Sequence, residues 1–497
     1  MAQERGIGQV SNSFINHRSP PELDLSKEEQ YFVDDIDWWP RCEPYNDRME
    51  IDDPVWGYEE IGTQKYDYIL LELAANKALD RLRHIEQLTL PRNYTTIPNT
   101  SLFSRWEHVW GSVVLTRKLI RKNNELNIEG SEGHIDPDTA LKMQIRTLLS
   151  DTGHTSGSHL GDWLFQDDSN SEDLHDINLK SFLERVGVNN ILRLYNIDPD
   201  EVIFPPGQDW IEADAPALCV DRIDYSLREM RRWIPNEKLK SINVDDFHLT
   251  ADGQIYMTDI EKAKLFAEAY LILSQEHWND PVHRLQLELF KTRLQRVIAT
   301  TTGQSGLHPL AQLMGTDRDI AIAMQQKGIF EDELDTIMED IGRVERKLGW
   351  DMRVKRIARI LEFGEYEFSG TELMEVAFHH PMISVENEEK YTEDNACISF
   401  NLPHLKFRHI DPRILIDVSL VPLSQIDEGF KGRLEANKKF VLTNYVGKVA
   451  FADRVSREYV SSEIDALREE WANVTRMYKM TPEALDDQVI NAIKLAA

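Results

Sequence analysis

Ser150-Asp151-Thr152-Gly153-His154-Thr155-Ser156-Gly157-Ser158-His159-Leu160-Gly161-Asp162 is the stretch on which the reading of this chain turns. It follows Leu141-Lys142-Met143-Gln144-Ile145-Arg146-Thr147-Leu148-Leu149, an apolar run whose spacing predicts a helix. Aspartate and histidine therefore gather where a helix ends. His154, His159 and His175 lie closer together than 15 histidines spread over 497 residues would fall. Clustered His and Asp serve as metal ligands or as acid–base groups. The same residue types also cap helix ends in polar loops, so the stretch needs company before it carries chemistry.

Two other stretches supply that company. Ser104-Arg105-Trp106-Glu107 matches the S-x-x-E capping box, which places His108 in the first turns of a helix. Alone, His108 reads equally as a packed or a surface histidine. Farther on, Asp221, Asp224, Tyr225 and Arg228 fall at i, i+3, i+4 and i+7, one helical face. Such a face is either a solvated one carrying an Asp224–Arg228 pair or the lining of a site.

In this order, the three stretches resemble the HD-domain phosphohydrolase superfamily, in particular its deoxynucleoside triphosphate triphosphohydrolase-like branch. That branch reads R-F-E-H, H-D-x-G-H-x-x-x-S-H and D-R-x-D-Y, and the match runs roughly from Tyr66 to Ile298. Phe407-Arg408-His409-Ile410-Asp411-Pro412 also resembles a segment that follows the core in such proteins. The resemblance implies a mainly α fold, an HD-domain helical core with a smaller C-terminal α+β region. It implies metal ligation by His108, Asp151 and Asp221, with His154 and His175 as acid–base groups and Asp162 orienting a histidine. Arg105, His159 and Tyr225 would contact substrate. The implied cofactor is a divalent metal ion, Mg²⁺, Mn²⁺ or another transition metal. The implied partner is a nucleotide or related phosphate ester, and a homo-oligomer is the expected assembly.

The chain departs from the pattern in two places. Ser150 stands where the branch has the second metal histidine, and a neutral hydroxyl is a poor transition-metal ligand, although a water-rich Mg²⁺-type site tolerates it. Tyr270-Leu271-Ile272-Leu273-Ser274-Gln275-Glu276-His277-Trp278-Asn279-Asp280-Pro281 carries no Lys or Arg where the branch places basic residues for the triphosphate. That argues against triphosphate specificity.

Composition narrows the alternatives. The net charge is −30, with 56 basic against 86 acidic residues, and no continuous basic run appears. Nucleic acid is therefore disfavoured as a partner, while a local basic pocket for a small phosphorylated ligand remains compatible. No apolar run of about 18 residues occurs, so no membrane span is expected. No basic start followed by an apolar stretch opens the chain, so no secretory signal is expected. Cys42, Cys219 and Cys397 are too widely spaced for a disulfide framework or a CxxC zinc site, which fits a cytoplasmic location.

Three regions are expected: a polar N-terminal extension over 1–60, an HD-type helical domain over 61–375, and a C-terminal α+β region over 376–497. Trp56 and Trp38-Trp39 are expected to dock on the body. Helix follows helix from Tyr66 to about Leu361, with Phe266–Leu273, Leu285–Ile298 and Ile337–Leu361 as apolar-striped examples. Ala396–Leu402 and Ile414–Leu420 read as strands. A last helix pair is expected over Arg454–Tyr478 and Pro482–Lys494, and the acidic patches Gln166–Asp173 and Glu331–Asp340 as a solvated loop and helix face. Two functions fit: a metal-dependent phosphohydrolase using histidine acid–base assistance, or a catalytically impaired HD fold that binds a nucleotide or partner.

Overall fold

The computed structural model describes residues 48–62, 67–88, 102–165, 174–203, 210–234, 236–279, most of 283–298 in part, 313–320, 397–401, 407–442 and 446–450. Trp38, Trp39, both acidic patches, Ile337–Leu361 and the expected C-terminal helix pair lie outside the described residues. The architecture is mainly helical with a small β region contributed largely from the C-terminal part.

The chain enters through a hairpin, β1 (Met49–Asp53) and β2 (Gly57–Ile61), antiparallel with Met49 opposite Ile61. Asp53 Oδ1 accepts from the backbone N–H groups of Val55 and Trp56, and Gly57 turns the chain at φ +75°. Trp56 is buried by this turn, as expected from its apolar bulk. The next helix, α1 (Asp67–Ala74), joins the hairpin through Arg117. The buried Arg117 guanidinium donates to Glu59, Asp67 and Gln144.

The central helix α2 (Arg105–Leu126) begins at the expected capping box, with Ser104 accepting from Glu107 N–H and Glu107 accepting from Ser104 N–H. Its first half is buried nearly all round, the signature of a helix inside a core rather than on one face. Helix α3 (Pro137–Leu149) packs beside it, capped by Asp136 with proline at the first position. A 3₁₀ turn, Ser150–Gly153, ends α3 and leads through α4 (Leu160–Phe165) toward α5 (Leu174–Arg185). A Cβ on Gly153 would lie 2.5 Å from the His175 carbonyl oxygen. Glycine at this point is what lets α5 close on the turn.

Helix α6 (Val220–Trp233) also packs on α2. Gly111 of α2 makes this approach possible, because a Cβ there would collide with the Arg228 guanidinium and Asp224 Oδ1. The Asp221–Asp224–Arg228 stripe thus faces inward. Asp224 and Arg228 are buried, and the solvated-face alternative does not hold for them.

Strands β3 (Phe247–Leu249) and β4 (Ile255–Met257) form a hairpin within the stretch read as continuous helices. Its turn is the Ala251-Asp252-Gly253 signal, with Gly253 at φ +80°. Helix α7 (Ile260–Leu273) follows and contains the expected Phe266–Leu273 stripe. The described residues between 283 and 298 are helical.

In the C-terminal part, β5 (Cys397–Asn401) falls where a strand was expected and pairs with β8 (Val446–Ala450). The expected strand over Ile414–Leu420 is instead a hairpin, β6 (Arg413–Ile416) and β7 (Ser419–Pro422). Asp417 at φ 55° makes the turn. An aspartate tolerates the left-handed region that the flanking β-branched residues resist. Strand β6 runs parallel to β4, giving a four-stranded sheet in the order β3-β4-β6-β7. Helix α8 (Glu428–Leu442) packs on α7. Residues from the middle and from the C-terminal part of the sequence therefore share one sheet.

Candidate metal and phosphate site

Three elements converge where α2, the Ser150–Gly153 turn and α6 meet. His108 comes from the first turn of α2, Asp151 from the 3₁₀ turn and Asp221 from the first turn of α6, with all ligand atoms within 4.8 Å of one another. His108 Nε2 is 2.9 Å from Asp221 Oδ1 and 3.9 Å from Asp151 Oδ2. Its other nitrogen, Nδ1, is 2.8 Å from Asp224 Oδ2. A carboxylate on the far nitrogen fixes a metal-binding histidine with its near nitrogen toward the ion. This donor set, one imidazole and two carboxylates with an orienting carboxylate behind, fits a divalent cation. It is rich in oxygen and so favours Mg²⁺ or Mn²⁺ over softer ions.

Ser150 does not complete the set. It ends α3, and its hydroxyl donates back to the Thr147 carbonyl at 3.0 Å. It lies neither in the ligand cluster nor among the residues lining the cavity.

A second cluster adjoins the first. His154, His159, Asp162 and His175 also bring their ligand atoms within 4.8 Å of one another. Asp162 Oδ2 lies 3.0 Å from His159 Nδ1, so it is His159 that this aspartate orients. The His154 and His175 rings stack with centroids 3.7 Å apart. His154 Nε2 approaches Asp151 Oδ1 at 3.5 Å, so the two oxygens of Asp151 face different clusters. Arg81, fully buried, fixes the connecting backbone by donating to the carbonyls of Thr152 and His154 and to that of Gly315.

Electrostatics separate the roles of these groups. Burial pushes the Asp151 carboxyl up, but Arg105, His154 and His108 outweigh it and hold it well below the ordinary carboxylate range. Arg105 Nη1 donates to Asp151 Oδ2 at 2.8 Å, while its other donors reach Ser158 Oγ. Burial, Arg105 and His175 push His154 well below the ordinary histidine value, so it stands neutral. Burial pulls His108 down as well, yet Asp221, Asp224 and Asp151 raise it to about 10. The metal-free protein therefore holds His108 as an imidazolium donating to two aspartates. A cation can bind its Nε2 only by displacing that proton. Mn²⁺ binding at pH 7 is expected to release about one proton per ion from His108. Its affinity should rise about tenfold per pH unit between pH 6.5 and 8.5. Isothermal titration in buffers of different ionisation enthalpy reads both quantities. A pH-independent affinity without proton release would remove His108 from the ligand set.

Both clusters open on one cavity of about 920 Å³. Arg105, Asp151, His154, His159, His175, Asp221 and Tyr225 line it, which brings seven of the nine expected site residues to one wall. His108 sits behind Asp151 and Asp221, and Asp162 behind His159. Tyr225 hydroxyl meets that of Tyr270 at 2.6 Å, and both rings lie edge-on to Trp278. The cavity also collects four arginines to which the sequence reading gave no role: Arg146, Arg222 of the D-R-x-D-Y motif, Arg408 and Arg413. Arg222 donates to the carbonyls of Ala213 and Ala217. Arg408 and Arg413 come from the C-terminal part, the first within and the second just after the Phe407–Pro412 stretch singled out in the sequence. The basic groups missing from Tyr270–Pro281 are thus supplied from elsewhere in the chain.

Two known proteins and one solved structure are similar to this chain. No protein-family model matches the chain. It is 23% identical over 322 residues to the uncharacterized protein YdhJ of Bacillus subtilis, spanning 63% of this chain and 87% of that one. It is 24% identical over 242 residues to the metal-dependent phosphohydrolase cns2 of Cordyceps militaris, spanning 47% of this chain and 61% of that one. A phosphohydrolase of known crystal structure from Bacteroides thetaiotaomicron covers 81% of this chain and 99% of its own, at a TM-score of 0.45 and 13% identity. No described helix is long and apolar enough to cross a membrane.

Proposed function

We propose that this chain is a metal-dependent phosphohydrolase acting on a nucleotide or a related phosphate ester. The observation that carries the reading is the meeting of His108, Asp151 and Asp221 at the wall of an arginine-lined cavity. These three residues would hold a divalent cation, Mg²⁺, Mn²⁺ or another transition metal. When bound, such an ion polarises a phosphoryl oxygen and acidifies water. The similarity to cns2, named a metal-dependent phosphohydrolase, supports the same class.

The residues divide the work as follows. Arg222, Arg408 and Arg413 draw the phosphate end of the substrate into the cavity, offering several donors to its oxygens. Arg105 holds Asp151 ionised and in place, and it presents its remaining face to a phosphate. Neutral His154 takes a proton from attacking water, and His175, stacked on it, gives one to the leaving oxygen. His159, oriented by Asp162 and adjoining both rings, contacts the phosphate beside them. The Tyr225–Tyr270 pair walls the non-phosphate part of the substrate.

A panel of nucleotides and simple phosphate esters, each with Mg²⁺ and with Mn²⁺, tests the proposal. Turnover that is lost in His154→Ala and slowed by an increased KM in Arg408→Met is the expected result. No turnover of any substrate by the folded protein, together with saturable nucleotide binding, would favour the binding-only reading that Ser150 suggests.

A further inference from the structure

The two donor clusters differ in kind. The first gives one nitrogen and two carboxylate oxygens, whereas His154, His159, His175 and Asp162 give three nitrogens and one oxygen. Imidazole-rich sets select zinc-class ions, while carboxylate-rich sets suit Mg²⁺ and Mn²⁺. A tetrahedral zinc ion, about 2.0–2.1 Å from each donor, separates its ligand atoms by about 3.4 Å. These donor atoms lie within 4.8 Å of one another, so side-chain shifts of roughly 1 Å close the set.

Two further observations point to a ligand here. The Nδ1 atoms of His154 and His175 are buried without a hydrogen-bond partner. A buried polar atom left so is uncommon and calls for an occupant. Asp162, itself 3% exposed, holds its Oδ2 3.0 Å from His159 Nδ1, close to the separation of neighbouring donors around one ion. The three rings face one another, with His154–His159 centroids at 4.9 Å and His159–His175 at 5.8 Å. Binding needs only the close His154–His175 stack to fan apart.

We propose that His154, His159, His175 and Asp162 form an inhibitory site for a zinc-class divalent cation, separate from the ion that His108, Asp151 and Asp221 hold. The inhibitory consequence rests on the function proposed above, because the ion takes the imidazole lone pairs that proton transfer uses. The binding itself does not depend on turnover. The arrangement allows one protein to be activated by a hard cation and silenced by a softer one at the neighbouring cluster.

The test uses the full chain, stripped with a chelator and held in excess Mg²⁺, into which Zn²⁺ is titrated against a chromophoric chelator. One zinc per chain is expected. His154→Ala, His159→Ala and Asp162→Asn each remove one donor and should each weaken it at least about tenfold. His108→Ala should leave it unchanged. Thermal melts of each variant separate lost binding from lost fold, and the milder Asp162→Asn keeps the test open if an alanine variant fails to fold. Zinc binding indifferent to these three variants, or abolished by His108→Ala, overturns the proposal. Zinc bound as expected in a protein that turns over no substrate keeps the site and removes the hydrolase reading. Turnover that 1:1 zinc does not inhibit, with no zinc retained, keeps the hydrolase and removes the site.

Discussion

Asp224→Ala is expected to lower the unfolding free energy by about 3–5 kcal/mol, the cost of breaking a buried ion pair from one side. Asp224 is fully buried and accepts from Arg228 Nε at 3.1 Å and Nη2 at 2.7 Å. It also accepts from the Trp56 indole N–H and holds His108 Nδ1 at 2.8 Å. Without it, Arg228, 1% exposed, keeps only Asp53, at 2.8 Å, as an ion-pair partner among the described residues. Three separate elements lose a shared anchor, the β1–β2 turn, α2 and α6, and with them the metal cluster that α2 and α6 help to build. Denaturant unfolding measures the effect, and a change below about 1 kcal/mol would show that the cluster is not the anchor described. The effect has a pH signature. Burial raises the Asp224 carboxyl, but Arg228 and His108 bring it below its ordinary value. A depressed carboxylate stabilises fully above its unfolded pKa and loses that contribution as pH falls through the folded one. The gap between wild type and variant should therefore narrow on acidification below about pH 4. Asp224→Asn, which keeps the volume, should also reduce metal affinity by about 10–100-fold through His108.

Asp224 also shows where the sequence is legible and where it stops. Its position on one helical face with Asp221, Tyr225 and Arg228 is plain from spacing. Whether that face meets water or core is not, because the answer lies in Gly111, more than a hundred residues earlier, which admits the Arg228 guanidinium. The helical core, the capping box at Ser104 and the grouping of His108 with Asp151 and Asp221 follow from local pattern and from the family resemblance. The β3–β4 hairpin was hidden inside a helical reading, since three-residue strands carry too little alternation to register. The Asp417 turn was hidden inside an apolar run for the same reason. Arg146, Arg222, Arg408 and Arg413 were invisible as a set. They come from four separated positions; the parallel pairing of β4 with β6 brings Arg413 to the cavity, and the Asp411 N–H donating to the Pro216 carbonyl holds the stretch that carries Arg408 beside it. A net charge of −30 gives no sign of the five arginines that line the cavity alongside five acidic residues, because net charge averages over the surface while a cavity gathers particular side chains.

Asp151→Asn is expected to abolish metal retention and to reduce turnover on the order of 10³-fold, equivalent to about 4 kcal/mol of transition-state stabilisation. Asp151 is the point where the two clusters touch: Oδ2 receives Arg105 at 2.8 Å and faces His108, while Oδ1 faces His154 at 3.5 Å. An amide keeps the shape but carries no charge, and its NH₂ group turns a donor toward either Arg105 or His154. Arg105, 2% exposed, is then left without its carboxylate, so a loss of stability accompanies the loss of activity. Metal content by elemental analysis distinguishes the two effects, because a protein merely destabilised would still carry its ion below its melting temperature. Ser150→His is the opposite arm of the same experiment. Ser150 spends its hydroxyl on the Thr147 carbonyl at the end of α3 and gives the site nothing. An imidazole there restores the residue type that the family pattern places before the aspartate. It should shift the preference toward softer ions and tighten Mn²⁺ at least about tenfold. If Asp151→Asn retains its metal and Ser150→His gains none, the ion is not held at His108, Asp151 and Asp221. If the first loses it and the second gains, Asp151 carries the site and the serine limits only its strength.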